Sequence, residues 1–251
     1  MEVKMFRLIR VLFSKIQRKH IFEGGLVVVV VLIGTLAYQV IRLERTIYKN
    51  EDRTIARIQV LDAGITSEMK RRQYLLGARD IIMQAAATRK VSLTVEVAFQ
   101  IAEANVLAAE KYGIDPTLLL AIQRRESCFD ATCISPVGAM GHNQIMEATS
   151  RLLCRVLNWE YTPELTKDIY KGTEQAAVLI QILQATYGRY ENKNELIVIA
   201  YNAGPKVADS YRLKRSALPE ETRVYLPDVM NYYQQYQSTI GMYWVSSKSS
   251  S

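Results

Sequence analysis

A glutamate closing a short apolar helix is the residue of this chain whose setting best suits acid–base chemistry. The run Tyr112-Gly113-Ile114-Asp115-Pro116 leads through Thr117 to Arg125 and into Glu126-Ser127. Gly113 can stop a preceding helix, because glycine takes the left-handed cap without steric cost. Asp115 before Pro116 reads as an N-cap followed by a first-turn proline, so a new helix starts there. Leu119, Ile122 and Glu126 then share one face of that helix. The face is otherwise apolar, so a carboxyl group on it is desolvated, keeps its proton toward neutrality and can act as a general acid. The competing reading is a surface glutamate at a polar helix end, beside Gln123, Arg124 and Arg125.

The residues downstream favour the acid. Ser135-Pro136-Val137-Gly138-Ala139-Met140-Gly141-His142-Asn143-Gln144-Ile145-Met146 is a glycine-punctuated turn feeding another helix. Gly138 and Gly141 let the backbone pass close to a ligand or to the Glu126 helix. Later come Ala200-Tyr201-Asn202-Ala203-Gly204-Pro205 and Glu221-Thr222-Arg223-Val224-Tyr225. Taken in order, these motifs resemble the family 1 lytic transglycosylases, the soluble-lytic-transglycosylase catalytic domain of the lysozyme-like superfamily. The resemblance covers roughly residues 93–235. The chain departs from the family's usual Gly-Leu-Met-Gln at Gly141-His142-Asn143-Gln144, from proline at Glu147 and from a frequent glycine at Lys206. The first two departures are expected to put polar or charged groups beside the cleft.

The resemblance implies peptidoglycan as substrate, cut between N-acetylmuramic acid and N-acetylglucosamine without a cofactor. Glu126 would protonate the leaving oxygen and the substrate's acetamido group would stabilise C1. Glu126 would then accept the proton of the muramic C6 hydroxyl as a 1,6-anhydro end forms. Residue by residue, Ser135, Gln144 and Met146 would line the cleft, Tyr201 and Asn202 would hold the sugar, and Glu221 and Tyr225 would close the far side. Gly138, Gly141 and Gly204 would shape the turns. Plainer alternatives are a core aromatic at Tyr201, gap-filling packing at Met146 and a Glu221 paired with an arginine. Two other functions stay open. A hydrolytic muramidase would need a second carboxylate, for which Glu147 and Asp130 are the candidates. A non-catalytic component of an envelope-spanning or virion assembly is the other, and the intact Glu126 argues against it.

Composition narrows the remaining classes. The net charge is +7, with 49% hydrophobic and 23% charged residues, which suits a globular protein. Residues 1–20 carry Lys4, Arg7, Arg10, Lys15, Arg18 and Lys19 against Glu2. Most of the excess charge sits in that leader, so no nucleic-acid-binding face is implied. Cys128, Cys133 and Cys154, with His20 and His142, lack metal-ligand spacing. One cysteine pair, Cys133 with Cys154, could be bridged in an oxidising compartment; three buried free thiols are the alternative.

The fold expected is mainly α: a lysozyme-like helical catalytic domain preceded by a long helical stalk and one N-terminal transmembrane helix. Residues 1–20 are a basic cytoplasmic leader and 21–41 the membrane helix, since Gly25 to Ile41 is apolar and bordered by charge. The positive-inside bias places the catalytic domain outside the cytoplasm, anchored in the inner membrane. Residues 42–92 form the stalk, where Ile55, Ile58, Leu61, Ile65 and Met69 recur at helical spacing. Gly64 and Gly77 are candidate breaks in it. The catalytic domain spans 93–240, with buried faces at Val95, Ala98, Ala102, Val106, Ala109 and Tyr112, and at Ala176, Ile180, Leu183 and Tyr187. Residues 241–251 are a serine-rich disordered tail.

Overall fold

Residues 25–244 are described in a computed structural model, with side chains from residue 30 onward. Helices dominate: α1 (Gly25–Thr88), α2 (Val95–Tyr112), α3 (Pro116–Ser127), α4 (Glu147–Leu157), α5 (Ile169–Tyr187), α6 (Lys193–Ala203), α7 (Pro205–Arg212) and α8 (Glu220–Thr239). The chain divides into two compact units, residues 1–64 and 65–251.

Local chemistry sets the helix ends that matter for the site. Thr94 caps α2 by accepting from the Val97 amide, and Gly113 ends it at φ +64°. Asp115 caps α3 by accepting from the Thr117 amide at 2.8 Å, with Pro116 in the first turn. Leu119 and Ile122 are fully buried, as their spacing predicts. In the second unit α2 packs on α5, α3 on α8, and α6 on α5, α7 and α8. Ala98, Ala102, Val106 and Ala109 from α2 meet Ala176, Ile180, Leu183 and Tyr187 from α5 in one core.

The lead-in differs from its sequence-based outline. α1 runs unbroken across both Gly64 and Gly77. At Gly77 a Cβ would stand 2.4 Å from Ile240 Cγ2, so the missing side chain makes room for a core residue instead of breaking the helix. Tyr74, Ala78, Ile82 and Ala85 recur every three or four residues and are wholly buried in the domain core. The boundary expected at 92–93 therefore falls behind residues that the core already contains. Ile55, Ile58, Leu61, Ile65 and Met69 are all more than half exposed. At the other end, Gly241–Tyr243 forms a 3₁₀ turn, and the Trp244 ring lies 5.7 Å from that of Tyr74. These residues of the expected tail are ordered by that contact, while 245–251 lie outside the described residues.

Among the described residues no helix is long and apolar enough to cross a membrane. The basic leader and the start of the span expected at 21–41 lie outside them.

Candidate active site

Glu126 reaches its position because α3 is tied to α8 along its length. At the α3 start, Asp115 Oδ2 accepts from Tyr233 Oη (2.8 Å) and Gln237 Nε2 (2.7 Å). In the last turn, Arg124 Nη1 donates to Tyr236 Oη at 2.9 Å and Arg125 Nε to Asp228 Oδ2 at 2.9 Å. One residue beyond these ties, Tyr225 Oη donates to Glu126 Oε1 at 2.5 Å.

The Glu126 carboxyl opens into a cleft of about 320 Å³. Burial raises its pKa from 4.5 to about 7; the Tyr225 hydrogen bond and the Arg125 charge act against that rise, and Glu221 adds to it. Tyr225 and Tyr201 are pushed well above the ordinary tyrosine range, chiefly by burial and then by the Glu126 charge. Both phenols therefore stay protonated as donors.

All the residues expected from the motifs meet around this cleft. Ser135, Gln144, Met146, Tyr201, Asn202, Glu221 and Tyr225 all line it. Tyr201 Oη donates to the Asn143 carbonyl at 2.8 Å, so its hydroxyl is anchored at the cleft wall. Asn202 Oδ1 accepts from Thr222 Oγ1 at 2.8 Å, which orients the amide. Glu221 is exposed and one helical turn before Tyr225; the arginine nearest in sequence, Arg223, pairs with Glu220 instead.

The glycine-punctuated segment is a small antiparallel hairpin, β1 (Ala139–Met140) with β2 (Ile145–Met146), pairing Ala139 with Met146 and Met140 with Ile145. Ser135 Oγ accepts from the Ala139 amide at 2.9 Å, so it closes the turn as well as lining the cleft. Gln144 takes a left-handed φ of +47° and donates through Nε2 to the Gly141 carbonyl at 2.8 Å. Gly141 has φ +75°, and a Cβ there would stand 1.9 Å from the Thr166 carbonyl oxygen. The close approach at Gly141 is thus to the 3₁₀ turn Pro163–Thr166, and one residue on the His142 carbonyl accepts from Ser127 Oγ of the Glu126 helix at 3.0 Å. Gly138 (φ +88°) meets nothing within 4 Å. Gly204 (φ +86°) turns the chain from α6 into α7.

Several expectations are corrected. His142 and Asn143 do not border the cleft; both are fully buried behind it. Asn143 Oδ1 accepts from Gln123 Nε2 (2.9 Å), its Nδ2 lies 2.9 Å from His142 Nε2, and that nitrogen lies 2.8 Å from Thr173 Oγ1. Gln123 also exchanges two hydrogen bonds with Asn105. The Asn143 amide is thus bonded from α3 through Gln123, and one nitrogen of the His142 ring from α5 through Thr173, while the other ring nitrogen, Nδ1, is buried without a partner. Glu147 lies outside the cleft lining and pairs with Arg151 at 2.7 Å in the first turn of α4. Asp130 accepts from the Thr132 amide and hydroxyl as a turn cap. The second carboxylate facing the cleft is Glu221. Cys133 and Cys154 are not bridged: all three cysteines are free, and Gln175 Nε2 donates to Cys154 Sγ at 3.3 Å.

Motif reading missed Arg125, Thr149 and Leu179, which also line the cleft. Arg125 sits about 100° around the helix from Glu126, so only the α8 partner Asp228 reveals its direction. Leu179 lies on a helix far away in sequence and carries no local signal. Among the described residues no three His, Cys, Asp or Glu side chains converge as a metal-ligand set.

Comparison with known proteins adds an independent line. The transglycosylase SLT domain family matches residues 103–223. A putative soluble lytic murein transglycosylase of Haemophilus influenzae is 28% identical over 67% of this chain and 30% of its own length. A membrane-bound lytic murein transglycosylase C of Edwardsiella ictaluri is 33% identical over 39% of this chain and 29% of its own. This chain thus spans about a third of the length of these relatives. The crystal structure of the 70 kDa soluble lytic transglycosylase SLT70 from Escherichia coli shares the fold, with TM-score 0.51 and 20% identity over 68% of this chain and 30% of that one. These matches, following the motif order that meets at Glu126, identify residues 103–223 as a domain of the transglycosylase SLT family.

Proposed function

We propose that this protein is a peptidoglycan lytic transglycosylase, cleaving the β-1,4 bond between N-acetylmuramic acid and N-acetylglucosamine with Glu126 as acid and then base. The observation that carries the reading is the Glu126 carboxyl in the cleft, held by the Tyr225 hydroxyl, with burial raising its pKa to about 7. A group with a pKa near the working pH can both give and take a proton. Tyr225 occupies Oε1, so Oε2 is the oxygen free to carry the proton toward the glycosidic oxygen. As that proton transfers, the C1–O bond breaks and its electron pair goes to the leaving sugar. The acetamido oxygen of the substrate supports the cationic C1. The Glu126 carboxylate then accepts the proton of the C6 hydroxyl while that oxygen bonds to C1. No water enters, and the product carries a 1,6-anhydro end.

Mass spectrometry of peptidoglycan digested with the protein tests this. Muropeptides lighter by one water than lysozyme products are expected. Reducing ends, together with loss of cleavage in Glu221→Gln, would assign hydrolysis with Glu221 as the second carboxylate.

The N-terminus supports a location. The basic leader followed by the apolar run from Gly25 to Ile41 reads as a single-pass anchor with its leader in the cytoplasm. Protease added to spheroplasts should then digest the C-terminal domain; a domain protected until lysis would reverse the topology.

A further inference from the structure

We propose that Arg125 is a positioning residue for the reaction: tethered to Asp228, it supplies the positive charge against which the Glu126 carboxylate forms and supports the ring of Tyr225. This rests on the assignment of Glu126 as the acid. Arg125 is the one lysine or arginine lining the cleft among the described residues. Its Nε donates to Asp228 Oδ2 at 2.9 Å, and its guanidinium carbon lies 5.4 Å from the centre of the Tyr225 ring. The side chain is only 27% exposed, so its charge is less screened than a surface arginine's. Tyr225 in turn donates to Glu126. One tether across α3 and α8 therefore fixes both the cation beside the acid and the hydroxyl bound to it.

The chemistry needs such a charge. Donating a proton turns a neutral carboxylic acid into an anion in a partly desolvated cleft, and desolvation opposes that step. A fixed positive charge offsets part of the cost without reorganisation. The groups facing the acid are Tyr225 and Glu221 from α8, Tyr201 from α6, Cys133 from the segment before the hairpin, and Arg125 itself. Glu221 opposes the anion, and Arg125, itself held by Asp228, is the cation of the set.

The test compares Arg125→Met, which removes the charge, with Arg125→Lys, which keeps it. Two readings are taken: the Glu126 titration, by carboxyl-carbon NMR of the intact protein, and the pH profile of kcat/KM on peptidoglycan. In Arg125→Met the Glu126 titration and the alkaline limb should both move up by about half a unit or more, with kcat down about tenfold and KM little changed. In Arg125→Lys both should stay near the parent values. An unmoved titration in a folded Arg125→Met protein overturns the inference, as does an equal upward shift in the lysine variant. If the titration moves as expected but no peptidoglycan is cut by the parent protein, the charge balance stands and the activity assignment falls.

Discussion

Two desolvated titrating groups at and behind the cleft act on stability with opposite signs. Glu126 has a folded pKa of about 7 against 4.5 for the free side chain. The folded state holds its proton more tightly, so this contribution is fully present below pH 4.5 and is lost as pH rises toward 7. His142 is the reverse, lowered by burial from 6.5 to about 4. Its contribution is present above pH 6.5 and lost as pH falls toward 4. The two slopes offset each other between about pH 4.5 and 6.5. Glu126→Gln should therefore do two separable things. Cleavage should fall by roughly two to four orders of magnitude, because the amide keeps the shape but cannot donate the proton. Stability at pH 8 should rise, by about 1–3 kcal/mol relative to the parent, with the gain vanishing below pH 4.5. Urea midpoints of both proteins from pH 4 to 8 would show it. A variant less stable than the parent at pH 8 would mean that Glu126 is not desolvated as described. For the parent, kcat/KM should decline above about pH 7, as the acid loses its proton.

At the level of elements, the hairpin carries the most demanding backbone. Gly138 and Gly141 both take positive φ, but their surroundings differ. Alanine at Gly138 meets no neighbour and should cost only the left-handed penalty, about 1–2 kcal/mol. Alanine at Gly141 adds a collision with the Thr166 carbonyl and should cost at least about 3 kcal/mol, with loss of Gln144 from the cleft wall. Thermal melts of the two single variants separate these outcomes; equal losses would show that the Thr166 contact is not rigid. The ties from α3 to α8 work at the same scale. Asp115 serves as the α3 cap and as acceptor for Tyr233 and Gln237, so one carboxylate starts the Glu126 helix and seats it against the Tyr225 helix.

For the whole molecule, the long first helix is the part whose role changes most. Its final turns contribute Tyr74, Ala78, Ile82 and Ala85 to the core, and Trp244 covers Tyr74 from the chain's other end. A fragment of residues 65–244 should melt cooperatively. A fragment of 93–244 lacks those side chains and leaves their partners open to water. Removing several fully buried side chains at about 2–5 kcal/mol each exceeds the usual stability of a domain. Circular dichroism of the two fragments decides the matter: a cooperative melt for 93–244 would show that the helix is only docked on a complete core.

The sequence by itself determined what depends on local geometry and residue type. Asp115-Pro116 and Gly113 mark helix ends through capping, and Leu119, Ile122 and Glu126 share a face through the 3.6-residue period. The motif order also allowed Ser135, Gln144, Met146, Tyr201, Asn202, Glu221 and Tyr225 to be named before any of them could be seen to meet. Tertiary structure decided what depends on direction and on partners distant in the chain. His142 and Asn143 look like cleft residues by position, yet they turn inward, where Gln123 bonds the Asn143 amide and Thr173 one nitrogen of the His142 ring. Arg125 looks like helix surface, yet Asp228, on a helix about a hundred residues later, draws it to the cleft. Gly77 looks like a break, yet it is the gap that Ile240 fills. Periodicity records which face of a helix is apolar, but burial depends on what the rest of the chain brings against that face.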